Sequence, residues 1–103
     1  MTSGPDKVVV RIDHDLEEIV PGYLKNRWND VEAMRNALKQ GDFESLRVLG
    51  HRMKGSGAGY GFDAITEIGR GVENAAKTSQ AGEIAQGIQD LVAYLERVEV
   101  VYE

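Results

Sequence analysis

Cysteine is absent from this chain, which excludes a disulfide framework, a thiolate metal site and a cysteine nucleophile. Histidine is scarce: His14 and His51 are the two present, with no HExxH pattern and no His/Cys cluster. A transition-metal centre would have to gather carboxylates from distant positions, so no metal site is expected. No apolar run approaches the length that spans a bilayer, and the stretch from Met1 to Lys7 lacks the regions of a secretory leader. A protein with no membrane association, located in the cytoplasm, is expected. The formal net charge of −5 disfavours nucleic-acid binding driven by counterion release, so no nucleic-acid partner is expected.

Glycine, by contrast, is dense in one place. The run from Gly50 to Gly61 holds five glycines within a continuing helical apolar pattern. Each glycine inside a helix costs roughly 1 kcal/mol against alanine, so the cluster needs a packing or functional reason. A phosphate-cradling loop is a poor reason. The pattern GxGxxG fails from Gly55 at Tyr60 and from Gly57 at Phe62, no GxxxxGK is present, and such loops follow a buried strand rather than a helix. A nucleotide-dependent enzyme is therefore a distant reading.

With 103 residues the chain is one domain with a single core. Residues 1–12 read as a flexible tail whose β-prone run, Val8 to Ile12, lacks an evident partner strand. Asp13 is a plausible cap for a short helix carrying Leu16, Ile19 and Val20, which Pro21 separates from the next. A second helix, from about Gly22 to Gln40, places Leu24, Trp28, Val31, Met34 and Leu38 on one inward stripe. Gly41-Asp42 ends it and caps a third, to about Gly57, with Leu46, Leu49 and Met53 inward. Gly59-Tyr60-Gly61 forms a turn before a fourth helix with Ile65, Ile68, Val72, Ala75 and Ala76. After a break at Ser79–Gly82, a last helix carries Ile84, Ile88, Leu91, Val92, Leu95 and Val98. The expected fold is all-α: an antiparallel up-down-up-down four-helix bundle over residues 13–103, with the short N-terminal helix as a lid. Trp28 and Tyr60 read as core or lid residues rather than stacking platforms. One bundle accounts for all the apolar stripes, so a monomer is expected.

The phase of the third helix leaves Arg47, His51, Lys54, Gly55 and Ala58 outward. An exposed neutral imidazole is a competent nucleophile near neutral pH. Lys54 sits one turn from it, and every charged residue between Ser45 and Phe62 is basic, which would offset the charge of a phosphoryl group on the ring. The missing side chain at Gly55 and the small one at Ala58 would let a partner approach closely.

These residues resemble the histidine-containing phosphotransfer (HPt) family of two-component phosphorelays. The family pattern is a histidine with lysine at +3, glycine at +4, then small residues and a glycine at +10. His51, Lys54, Gly55 and Gly61 match each position. The likeness extends to the Gly41-Asp42 pair, to Val72-Glu73 where the family commonly has Leu-Glu, and to helix order over roughly residues 13–99. Gly50 stands where alanine is usual, and Gly57 and Gly59 where serine, alanine or asparagine are more frequent.

The resemblance implies a phosphocarrier rather than an enzyme, with no kinase activity of its own. His51 would take a phosphoryl group from a receiver-domain aspartate or hybrid kinase and pass it to a response-regulator aspartate. It also implies that Glu73 hydrogen-bonds Nδ1 of His51 and leaves Nε2 to carry the phosphoryl group. Lys54 would stabilise the transferring charge and Gly55 would admit the receiver. Arg47, Arg52 and Ala58 would border the docking face, and Mg²⁺ would come from the receiver, with no cofactor in the chain itself. Expected partners are a receiver domain and a sensor or hybrid histidine kinase. A rival from another class is a non-catalytic bundle that docks on such domains; it has no need of His51 and Lys54 together. Glu73 also has a plainer role open to it, a surface pair with Lys77 at i+4.

Overall fold

In the computed structural model, which describes residues 7–103, local signals set most helix ends. Gly41 turns with φ +67°, a conformation that suits glycine. Asp42 then caps the next helix by accepting from the Ser45 N–H at 3.0 Å. These two residues join α1 (Val20–Lys39) to α2 (Phe43–Gly57). A 3₁₀ turn, Ala58–Tyr60, and Gly61 at φ +93° lead into α3 (Asp63–Lys77). Ser79 at φ +54° helps reverse the chain into α4 (Ala81–Arg97).

Each helix packs against two others, α1 and α3 both touching α2 and α4, which is the antiparallel four-helix bundle expected from the periodicity. Its interior holds Met34 of α1, Leu46 and Met53 of α2, Ile65 of α3 and Ile84 and Leu91 of α4, all fully buried. Burying a side chain of this size is worth roughly 1.5–3 kcal/mol.

Three details differ from expectation. The lid helix is a single 3₁₀ turn, His14–Leu16, and Val20, expected within it, instead opens α1, where Pro21 fits the first turn. Trp28 is exposed, and Leu24 and Leu38 are only half-buried. The inward stripe of α1 is Val20, Tyr23, Val31, Met34 and Ala37, because α1 must face α2 and α4 together and that rotates Trp28 to the outside.

The third difference is a sheet. Val8–Ile12, assigned to a flexible tail without a partner strand, forms β1, which pairs in parallel with β2 (Val98–Tyr102). Residues 1–6 of that tail lie outside the described residues. The final helix thus stops at Arg97, and Val98 opens the strand. The register aligns Val8 with Val98, Val10 with Val100 and Ile12 with Tyr102. Of these, Ile12 is buried, while Val10, Val98, Val100 and Tyr102 pack on the core from partly buried positions. Ile12 lies against Gly61, where a Cβ would come 2.5 Å from Ile12 Cδ1. The sheet therefore seats on the bundle end where α2 gives way to α3.

Candidate functional site

The site begins with an unusually close approach of α2 to α3. A Cβ at Gly50 would meet Glu73 N at 2.6 Å and Gly69 O at 2.9 Å, and one at Gly69 would meet Lys54 N at 2.5 Å. At the next contact, a Cβ on Gly57 would meet Thr66 N at 2.6 Å and Phe62 O at 2.8 Å. All of these obstacles include backbone, which rotamer changes cannot relieve. Gly50, Gly57 and Gly69 are therefore packing glycines. Thr66 fastens the same interface, its hydroxyl donating to Lys54 O at 3.0 Å and accepting from Ala58 N–H at 2.8 Å.

That approach brings one α3 carboxylate under two α2 side chains. Glu73 is buried; its Oε2 lies 2.9 Å from Nδ1 of His51 and its Oε1 lies 2.8 Å from Nζ of Lys54. The Lys54 ammonium, and after it the His51 ring, outweigh the effect of burial and hold the Glu73 carboxyl down to about 2. At neutral pH it is an acceptor only, so the His51 nitrogen facing it carries the proton and donates. In the neutral ring the other nitrogen, Nε2, keeps its lone pair. The ring itself is 63% exposed, so that lone pair is available to an incoming electrophile. Gly55, one turn on, has open space where a Cβ would stand, so helix packing does not explain it.

His51, Lys54, Gly55 and Glu73 are thus gathered at one place, and Glu73 faces His51 and Lys54 rather than Lys77. The bordering residues differ. Arg47 is turned aside, donating through Nε and Nη2 to Glu44 at 2.9 and 2.6 Å. Arg52 is exposed and borders a groove of about 440 Å³ between α1 and α2, together with Ala33, Ala37, Val48 and Leu49. Ala58 is exposed at the start of the 3₁₀ turn. Among the described residues the one group of three potential metal donors is Asp13, His14 and Asp15, all exposed; it does not include His51.

Beside this site lies a polar network that the sequence reading did not single out. The Tyr23 hydroxyl is 3.0 Å from Ser56 Oγ, and Arg27 donates to the same oxygen at 3.4 Å. The Arg27 guanidinium sits 4.4 Å over the Tyr23 ring and pairs with Asp30 at 2.8 Å. Burial pushes the Asp30 carboxyl up, with Arg27 opposing the shift. Tyr23 also stacks on Tyr60 at 4.2 Å and Phe62 at 5.7 Å. The visible signal was the spacing of Tyr23, Arg27 and Asp30 at i, i+4 and i+7, a polar stripe on the side of α1 that faces Ser56.

Comparison with curated proteins and with solved structures finds no match. Comparison with family models does: the Hpt domain model matches residues 26–100, a span that contains the whole α2–α3 site and all but the first turns of α1. The chain therefore belongs to the Hpt domain family, whose domains serve histidine phosphotransfer in two-component phosphorelays.

Proposed function

We propose that this chain is a phosphorelay intermediate that carries the phosphoryl group on Nε2 of His51, taking it from one receiver-domain aspartate and delivering it to another. The observation that carries the reading is the Glu73 carboxylate hydrogen-bonded to His51 Nδ1 and ion-paired with Lys54 Nζ, which orients an exposed nucleophilic nitrogen and anchors a cation beside it.

In the accepting step, the Nε2 lone pair of neutral His51 attacks the phosphorus of the aspartyl phosphate. The N–P bond forms as the bond between phosphorus and the aspartyl oxygen breaks, and the aspartate leaves as a carboxylate. The proton on Nδ1 stays in its bond to Glu73, so the positive charge that develops on the ring faces a fixed anion. Lys54 shares that anion and lies within one turn of the ring, where its ammonium can offset charge on the phosphoryl oxygens. Delivery is the reverse step toward a second receiver. Phosphoryl transfer of this kind needs positioning and charge stabilisation, so a rigid helical platform suffices. The receiver supplies Mg²⁺ and its acidic pocket; the chain itself needs no cofactor and no kinase activity.

Gly55 leaves the space through which the receiver reaches the ring, and Arg52 and Ala58 border the docking face with Arg47, once released from Glu44. Basic charge on this face complements an acidic pocket and speeds encounter. The upstream partner is a sensor or hybrid histidine kinase, and the setting is the cytoplasm.

The test is incubation with acetyl-phosphate-charged receiver domains, read by intact mass for an acid-labile, base-stable adduct. The wild-type chain should gain one phosphoryl group, and His51→Gln should gain none while its helical content stays unchanged. Labelling that survives in His51→Gln would overturn the site. Receiver binding without any labelling of the wild type would instead assign a non-catalytic adaptor.

A further inference from the structure

The phosphotransfer reading leaves the β1–β2 sheet without a role, and its outer face is unusual. Parallel strands are ordinarily covered on both faces, and a two-stranded sheet is marginal by itself. Here the inner face packs on the bundle, whereas the outer face presents Val9, Arg11, Glu99 and Val101, all exposed. Val8, Val9 and Val101 are three of the five large hydrophobic residues exposed among the described residues.

The arrangement of the outer four is self-complementary. The register sets Val9 beside Glu99 and Arg11 beside Val101, so the valines occupy one diagonal of a rectangle and the opposite charges the other. A two-fold axis lying in the face along the valine diagonal stacks Val9 on its own copy and Val101 on its own copy. The same operation brings Arg11 to within about 3 Å, in projection, of Glu99 of the second copy and Glu99 likewise of its Arg11, an offset that these long side chains span. An axis parallel to the strands would instead place Val9 over Glu99 and lose both matches. With strands about 4.8 Å apart and alternate residues about 6.6 Å apart, the diagonal axis crosses the two sheets at roughly 70°.

We propose that this face is the contact of a two-fold homodimer formed by crossed, face-to-face packing of the β1–β2 sheets. Arg11 gives up little to join it, since its pair with Glu103 at 2.9 Å is well exposed, and exposed pairs are weak. Glu99 has no ion-pair partner to lose among the described residues. Four side chains make a patch smaller than the ~800 Å² per partner of a stable interface, so the dimer is weak. The sheet lies at a bundle end, whereas His51 lies on the flank near the middle of α2, so the dimer leaves both rings open to receivers. This goes beyond the helical stripes, which account for a monomer.

Sedimentation velocity over a concentration series that brackets ~0.1–1 mM tests it. The wild type should shift reversibly toward dimer, less so at high salt. Arg11→Glu alone and Glu99→Arg alone should each weaken association about tenfold or more, because the two-fold axis then opposes like charges twice. Mixing these two variants should restore dimer, since every contact again pairs opposite charges; a purely structural role within one chain predicts no such rescue. Val9→Asp, which sets two carboxylates on the axis, serves as a second probe should either charge variant lose its helical signal. A wild type that stays monomeric throughout, or a mixture that shows no rescue, overturns the proposal.

Discussion

Nδ1 of His51 and Oε2 of Glu73 lie 2.9 Å apart, and they meet only because Gly50 and Gly69 let the two helix backbones close on each other. The same carboxylate binds Lys54 through its second oxygen at 2.8 Å. One buried anion therefore sets the ring's tautomer, its orientation and the position of the neighbouring cation.

Glu73→Gln keeps the shape and removes the charge. It should slow phosphoryl acceptance by about tenfold or more, the scale on which loss of a ring-orienting partner acts. Rapid-quench kinetics with a charged receiver would measure this, and an unchanged rate would show that the ring needs no anion behind it.

The same residue predicts an acid limb in stability. Its folded-state carboxyl sits at about 2 against an ordinary 4.5, so its stabilisation is complete above the ordinary value and is lost as pH falls through that window. A plot of melting temperature against pH should fall less steeply below 4.5 in Glu73→Gln than in the wild type. Parallel curves would mean that other carboxyls dominate acid unfolding.

Gly50 and Gly55 should respond in opposite directions to alanine. Gly50→Ala drives a methyl into the Glu73 backbone and should cost about 1–3 kcal/mol, with impaired phosphorylation because the Glu73 bond shifts. Gly55→Ala meets open space and should gain up to about 1 kcal/mol from helix propensity. A bulky residue at Gly55 should weaken receiver binding more than it lowers the melting temperature. Thermal melts and receiver titrations of the three variants decide the matter.

The Tyr23, Arg27, Asp30 and Ser56 network should show coupling. Tyr23→Phe removes one hydrogen bond and should cost about 1 kcal/mol. Arg27→Ala strands a largely buried carboxylate and should cost more, about 1–3 kcal/mol, with part of the loss recovered in the double variant Arg27→Ala/Asp30→Ala. Additive losses in denaturant titrations would show the pair to be independent.

Much of this molecule is determined within a few residues of chain. The periodicity of α2, the Gly41 turn, the Asp42 cap and Pro21 in a first turn are short-range effects, and so the helix order, the bundle and the outward face of His51 could be read directly. The spacing of His51, Lys54, Gly55 and Gly61 was equally legible. The rest depended on which surfaces meet. Parallel pairing of Val8–Ile12 with Val98–Tyr102 joins opposite ends of the chain, and neither strand signals its partner locally. Trp28 and Tyr23 are both consistent with an apolar stripe, and only the rotation of α1 between α2 and α4 decides which is buried. Gly50, Gly57 and Gly69 look permissive in sequence; the backbone of the facing segment makes them obligatory. Glu73 could have been a solvated surface acid, and the closeness of α3 to α2 made it the buried partner of His51 and Lys54.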